Sequence, residues 1–281
     1  MNRRAANSSA DWELPVSESS LQQMTRDLDE AHQDAYPQMR ARAAEFSEEL
    51  AETASSIAGK RLARRGFLLG GVGVGAALAL AACSSSSNGA SSTGSSPAVA
   101  GAGGSASASP ASKYVGDLKV VALATALENQ AVGAYQAALS AATAGKLGTV
   151  PAAVATFVTT AMSQHQDHAK AWNAVLSGAG VPTITGVPLS NQPATLQALS
   201  GASTVGDVAK LALTLEDQAA QTYLFAAANV SSAGGISTAA SIAPVEAMHA
   251  AILQFVLGEY PVPDSFLSTD KAASTTLLTV A

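Results

Sequence analysis

Leu127-Glu128-Asn129-Gln130-Ala131 and Leu215-Glu216-Asp217-Gln218-Ala219 read almost alike. Seven residues after each glutamate stands a tyrosine, Tyr135 in the first copy and Tyr223 in the second. Further on, each copy carries a histidine at the end of an i, i+3 pair: His165-x-x-His168, then Glu246-x-x-His249. The chain therefore holds an internal repeat whose halves each supply one lone carboxylate and one such pair. Val121, Ala124, Ala131 and Val132 surround Glu128 at helical spacing, as Ala212, Leu213, Ala219 and Ala220 surround Glu216. Both glutamates thus lie on apolar helix stripes. From Cys83 onward there is no arginine and there are four glutamates, three of them in the repeat together with every histidine of that region. So charge-poor a region has little reason to place three carboxylates on apolar faces unless something cationic lies between them.

The rest of the 281-residue chain is uneven. Residues 1–65 carry 20 of its 36 charged side chains, 66–82 carry none, and 84–112 are nearly all Ser, Gly, Ala and Pro. The remaining C-terminal part is Ala-, Leu- and Val-rich and long enough for one well-buried core. From Cys83 on, six Lys stand against ten Asp and Glu, a net charge of −4. No basic patch is present, so nucleic acid is excluded as a partner. A single cysteine, Cys83, rules out internal disulfides and a thiol nucleophile in the globular part.

Residues 61–83 read as an address. Arg64-Arg65-Gly66-Phe67-Leu68 resembles the twin-arginine export signature. The 17 residues from Gly66 to Ala82 include five glycines, too short and glycine-rich for a comfortable span of about 20 apolar residues. They end in Leu80-Ala81-Ala82-Cys83, which resembles a lipobox with Cys83 as the acylated residue. The expectation is a bacterial protein passed to the twin-arginine export machinery and lipid-anchored on the outer face of the cytoplasmic membrane. Residues 84–112 then form a tether with a reach of roughly 30 Å. The alternative is a plain membrane helix that happens to end in cysteine. Residues 1–60 form a polar N-terminal segment, disordered or helical, with a solvated arm as its simplest reading.

The region 113–281 is expected to form four helices: about 117–144, 151–178, 205–229, and a last one either starting at Pro244 or running from near Ile236 through a proline kink. The link over 179–204 contains three prolines and no long periodic run, whereas the other two connections are short. Short–long–short connections give two antiparallel hairpins joined by a crossover.

With these residues in view, the region 115–258 resembles the ferritin-like di-metal carboxylate proteins: ferritins, bacterioferritins, rubrerythrins and manganese catalases. The implied fold is an all-α ferritin-like four-helix bundle with a long crossover between its second and third helices. The implied site takes a Glu from each of two helices and a Glu-x-x-His from each of the others. Glu128 and Glu216 match the single glutamates, Glu246 with His249 one pair, and His168 the other histidine. His165 departs from the pattern, standing where a bridging glutamate belongs, and leaves Glu246 as the obvious bridge. The resemblance implies iron or manganese, one or two ions, with Tyr135 and Tyr223 touching the ligands. An oxidase, ferroxidase or catalase-like enzyme acting on O2 or peroxide follows from it, or else a non-catalytic metal-binding or stress-related envelope lipoprotein. A homodimer is compatible with it; a cage is not expected of a tethered domain. The bland readings are a metal-free polar core of glutamates bonded to tyrosines, a solvated His165–His168 pair beside Gln164, Gln166 and Asp167, and Trp172 as core.

Overall fold

A computed structural model describes residues 12–69 and 113–280. The chain divides into two units, Met1–Ala54 with Ser112–Ala281, and Ser55–Ala111. The first unit holds the architecture that follows. Of the second, the described residues 55–69 continue a helix begun in the first. The lipidation site Cys83 and the 84–112 tether lie outside the described residues, and Arg64 and Arg65 fall within that helical continuation.

Six helices are described: α1 (Glu18–Leu69), α2 (Asp117–Thr143), α3 (Ala152–Gly178), α4 (Gln192–Gly201), α5 (Val205–Asn229) and α6 (Ala233–Val256). No strand occurs among the described residues, only a lone antiparallel bridge of Leu189 with Leu278. The expected all-α bundle is thus present as α2, α3, α5 and α6. Local chemistry sets its ends. Gly145 (φ 70°) follows α2 and Gly180 (φ 72°) follows α3, left-handed positions that favour glycine. Thr204 and Asp207 close a reciprocal capping box on α5, and Ser232 accepts from Gly235 N–H at the start of α6. Of the two expectations for the last helix, the structure takes the longer, running through Pro244 from Ala233. The 179–204 link holds one short helix, α4, which the lack of periodicity did not announce.

The core has two apolar layers with a polar layer between them. One contains Val121, Leu123, Trp172, Leu176, Tyr223 and Ile242; the other contains Phe157, Val158, Ala209, Ala212, Leu253 and Val256. Each bundle helix crosses from one layer to the other, α2 and α6 in one sense, α3 and α5 in the opposite sense. Because α3 and α5 share a direction, the chain must travel the length of the bundle between them, which is the physical reason for the long crossover. Asn129 and Asn173 both donate to the Ile184 carbonyl and hold that crossover on α2 and α3.

The N-terminal segment is the main departure from expectation. Helix α1 buries Leu21, Leu28, His32, Met39, Ala43 and Phe46 against the bundle. It lies over α3 and α6, parallel to the first and antiparallel to the second. Glu18 accepts from Ala153 N–H at the start of α3 (3.4 Å), and Glu49 from Gly234 N–H at the start of α6 (3.4 Å). Each carboxylate sits at the positive end of a helix dipole. At Gly234 the helices approach so closely that a Cβ would lie 2.6 Å from Phe46 N.

Candidate metal centre

All six residues singled out as ligands in the sequence meet in the polar layer, and all are buried. Glu128 comes from α2, His165 and His168 from α3, Glu216 from α5, Glu246 and His249 from α6. They form two overlapping sets, Glu128–His165–His168–Glu246 and His165–Glu216–Glu246–His249, with ligand atoms in each set within 4.8 Å of one another. The halves of the sequence repeat thus become the halves of the centre. Among the described residues, α6 alone is long and apolar enough to cross a membrane, yet it carries two of these ligands inward.

His165 occupies the middle. Its Nδ1 lies 2.7 Å from Glu128 Oε2, its Nε2 3.1 Å from Glu216 Oε1 and 3.7 Å from Glu246 Oε2. The solvated-pair reading of His165 and His168 therefore fails. His168 turns Nδ1 to Glu246 Oε1 (2.9 Å) and Glu128 Oε1 (3.5 Å). His249 mirrors it, with Nδ1 3.1 Å from Glu246 Oε2 and 3.4 Å from Glu216 Oε2. The far nitrogen of His249, Nε2, stands 2.8 Å from Gln164 Oε1. That carbonyl accepts an Nε2–H and so leaves Nδ1 free to face the carboxylates, an outer partner of the kind metal-bound histidines use. Gln164 was read from sequence as a sign of exposure. Its adjacency to His165 could have marked it, since the neighbour of a buried helix residue is only about 100° away around the axis. Asp167 turns away from the centre and pairs with Lys170 at 3.0 Å.

The tyrosines exchange partners between the halves. Tyr135 of α2 donates to Glu216 of α5, and Tyr223 of α5 donates to Glu128 of α2. Trp172 is core as expected, and its Nε1–H donates to Tyr223 Oη at 2.8 Å. Tyr135 also lines an apolar cavity of about 40 Å3 between Phe157, Val158, Val205, Ala212 and Leu253.

Burial and mutual attraction pull the charges of this layer in opposite directions. Burial raises the Glu128 carboxyl, but His168 and His165 more than offset it and hold it at about 2. Burial likewise raises Glu216, and His165 and His249 bring it well below the ordinary range. Burial lowers His165 and His168, yet the surrounding glutamates lift the first well above 6.5 and the second to about 9. His249 is raised in the same way by Glu216 and Glu246. Tyr135 and Tyr223 are pushed up by burial and by the carboxylates they contact. His32 of α1 behaves oppositely: burial and the neighbouring His168 bring it down to about 4.

These residues suit a metal. Glu216 Oε2, Glu246 Oε1 and His168 Nδ1 are buried and make no well-aligned hydrogen bond, their contacts being the ion pairs His168–Glu246 at 2.9 Å and His249–Glu216 at 3.4 Å, so all three face the centre as donors a metal could take. Mixed carboxylate and imidazole donors fit iron, manganese and zinc. Residues 116–259 match the family model described as a ferritin-like domain. No curated protein and no solved structure matches the chain.

Proposed function

The chain belongs to the ferritin-like domain family, and from that premise we propose that its Glu–His layer holds one or two divalent transition-metal ions, iron or manganese. The observation that carries this reading is the convergence of six buried donors from four helices, three of whose atoms make no well-aligned hydrogen bond. Glu128 and His168 would hold one ion and Glu216 and His249 the other, with Glu246 and His165 placed between the two sets. When bound, such an ion supplies one-electron redox chemistry toward O2 or peroxide. The protein's own part is to orient and neutralise. Tyr223 and Tyr135 hold Glu128 and Glu216 in place, Gln164 holds His249 by its far nitrogen, and the apolar layers on either side keep water out.

An oxidoreductase acting on O2 or peroxide is the finer form of the proposal. The apolar cavity beside Tyr135 supports it, being large enough for a small molecule and chemically suited to O2. A second reading has its own observation. Three imidazoles raised into their charged range already balance three carboxylates, so the layer can be neutral without metal. That favours a non-catalytic metal-binding or structural envelope lipoprotein. Both readings share the same location, exported by way of Arg64-Arg65 and acylated at Cys83.

Thermal melting of the chain with and without iron, manganese and zinc tests the metal. A ligand bound only by the folded state adds RT ln(1 + [L]/Kd), about 2.7 kcal/mol at a hundredfold excess over Kd. Equal melting temperatures would leave only the structural, metal-free form of the second reading. Stopped-flow mixing of the Fe(II)- or Mn(II)-loaded chain with O2 and with H2O2 tests turnover. Oxidation no faster than for free metal, with peroxide unconsumed, would reduce the proposal to metal binding.

A further inference from the structure

Helix α1 lies outside the sequence repeat and outside the residues that match the family, yet it crosses the same three layers as the bundle helices. Leu21 and Leu28 join one apolar layer, and Met39, Ala43 and Phe46 join the other. Between them, at the level of the Glu–His layer, the buried residue is His32. Its side chain is 2% exposed, and neither ring nitrogen has a hydrogen-bond partner among the described residues. One face stacks on Tyr36, with ring centres 5.3 Å apart. The His168 ring lies 5.4 Å away, tilted by 54°. Two imidazoles sharing one ion through nitrogen–metal bonds of about 2.1 Å place their ring centres about 5 Å apart. Within the cluster itself, His165 and His249 stand at 5.0 Å and 51°, much the same relation.

One turn before His32, Asp29 reaches the same layer. Its Oδ1 lies 3.5 Å from Gln164 Nε2, and Gln164 in turn holds His249. Asp29-x-x-His32 therefore repeats on a fifth helix the acid-then-histidine spacing of Glu246-x-x-His249. The sharp approach at Gly234 and the carboxylates of Glu18 and Glu49 at two helix starts fix α1 lengthwise, so His32 is held in this register.

We propose that His32 is a further ligand of the metal centre, supplied by α1 from outside the four-helix bundle. This rests on the metal reading above. A buried neutral imidazole with two unpaired nitrogens is costly; His32 stands beside the two donor sets rather than within them, and a turn of its ring toward an ion shared with His168 would remove that cost. It also makes α1 the closure of the centre on its α3–α6 side. In the lipoprotein reading, cutting before Cys83 parts α1 from the bundle, so the precursor is the closed form of the centre and the processed protein the open one.

The full chain loaded with Co(II) as probe tests this. His32→Phe keeps the ring volume and removes both nitrogens. It should weaken one Co(II) position by at least about tenfold, the lower end of what even outer partners of metal ligands are worth. Protection of residues 18–54 from protease should be unchanged. X-ray absorption should count four imidazoles per wild-type chain, which are all the histidines it has, and three in the variant. Unaltered affinity and an unaltered count of three overturn the proposal while leaving the metal centre standing. Failure of the wild-type chain to bind any metal overturns the centre itself. Should His32→Phe undock α1, the wild-type count decides, four supporting and three refuting.

Discussion

At the scale of residues, His165 gives the centre its character. Where the family pattern has a fourth carboxylate, this chain places an imidazole with one nitrogen toward Glu128 and the other toward Glu216. Without metal, the cation between the carboxylates is therefore His165 itself. His165→Glu sets four carboxylates against two imidazoles. Its metal-free form should melt well below the wild type, and its melting temperature should rise more on adding Mn(II). The pH dependence has a definite sign. His168 is raised from 6.5 to about 9, so its contribution is fully present below pH 6.5 and is lost as pH climbs through 9. Glu128 is lowered from 4.5 to about 2, so its contribution is present above pH 4.5 and lost as pH falls through 2. The metal-free protein should be most stable between those limits, and less stable at pH 9 than at pH 6. Metal affinity should run the other way and increase with pH, because ligands must shed protons to bind. Melting and metal titrations from about pH 5 to about pH 9, the value to which His168 is raised, would show the two opposing trends. Tyr223→Phe strips a donor from Glu128 and a partner from Trp172. It should cost about 1–3 kcal/mol in urea unfolding.

At the scale of elements, α1 illustrates how a charged helix hides a buried face. Its 52 residues are polar on average, and its apolar positions are separated by acidic and basic ones, so composition alone suggests a solvated arm. Yet Leu21, Leu28, His32, Met39, Ala43 and Phe46 recur at three, four or seven residues, one stripe wide. The close passage of α1 over Gly234 offers a way to dislodge it. Gly234→Leu cannot be accommodated against Phe46 and the Arg42 carbonyl. It should cost about 1–3 kcal/mol of packing, felt first in α1. Limited proteolysis or hydrogen exchange should then show residues 18–54 opening while α2–α6 stay protected. Equal protection throughout would mean that α1 docks without using this contact.

At the scale of the whole molecule, the family match ends at 116 and 259, and the proposed export and anchoring concern only what precedes it. Both proposals rest on Arg64, Arg65 and Cys83. Cys83→Ala should abolish incorporation of labelled fatty acid, and the double change Arg64→Lys, Arg65→Lys should hold the protein in the cytoplasm. A wild-type chain that never takes up labelled fatty acid would remove the lipid anchor from the proposal and leave the bundle untouched.

The sequence by itself determined the bundle, its crossover and the six residues of the polar layer. Those follow from spacing along single helices, where i, i+3 and i, i+4 positions share a face whatever the helix packs against. Both copies of the repeat carried the same spacing, so the two half-sites were legible together. Only the tertiary structure decided how the halves interlock. Tyr135 lies on the helix of Glu128 yet bonds Glu216, because a side chain two turns away reaches across the interface rather than along its own helix. Gln164 and His32 escaped notice for a related reason. A polar residue beside a charged stretch looks solvated until the neighbouring helix is in place, and only packing removes the water from it. Ligand type is a local property of the chain, whereas ligand partners and the helix that closes over them are properties of the packed molecule.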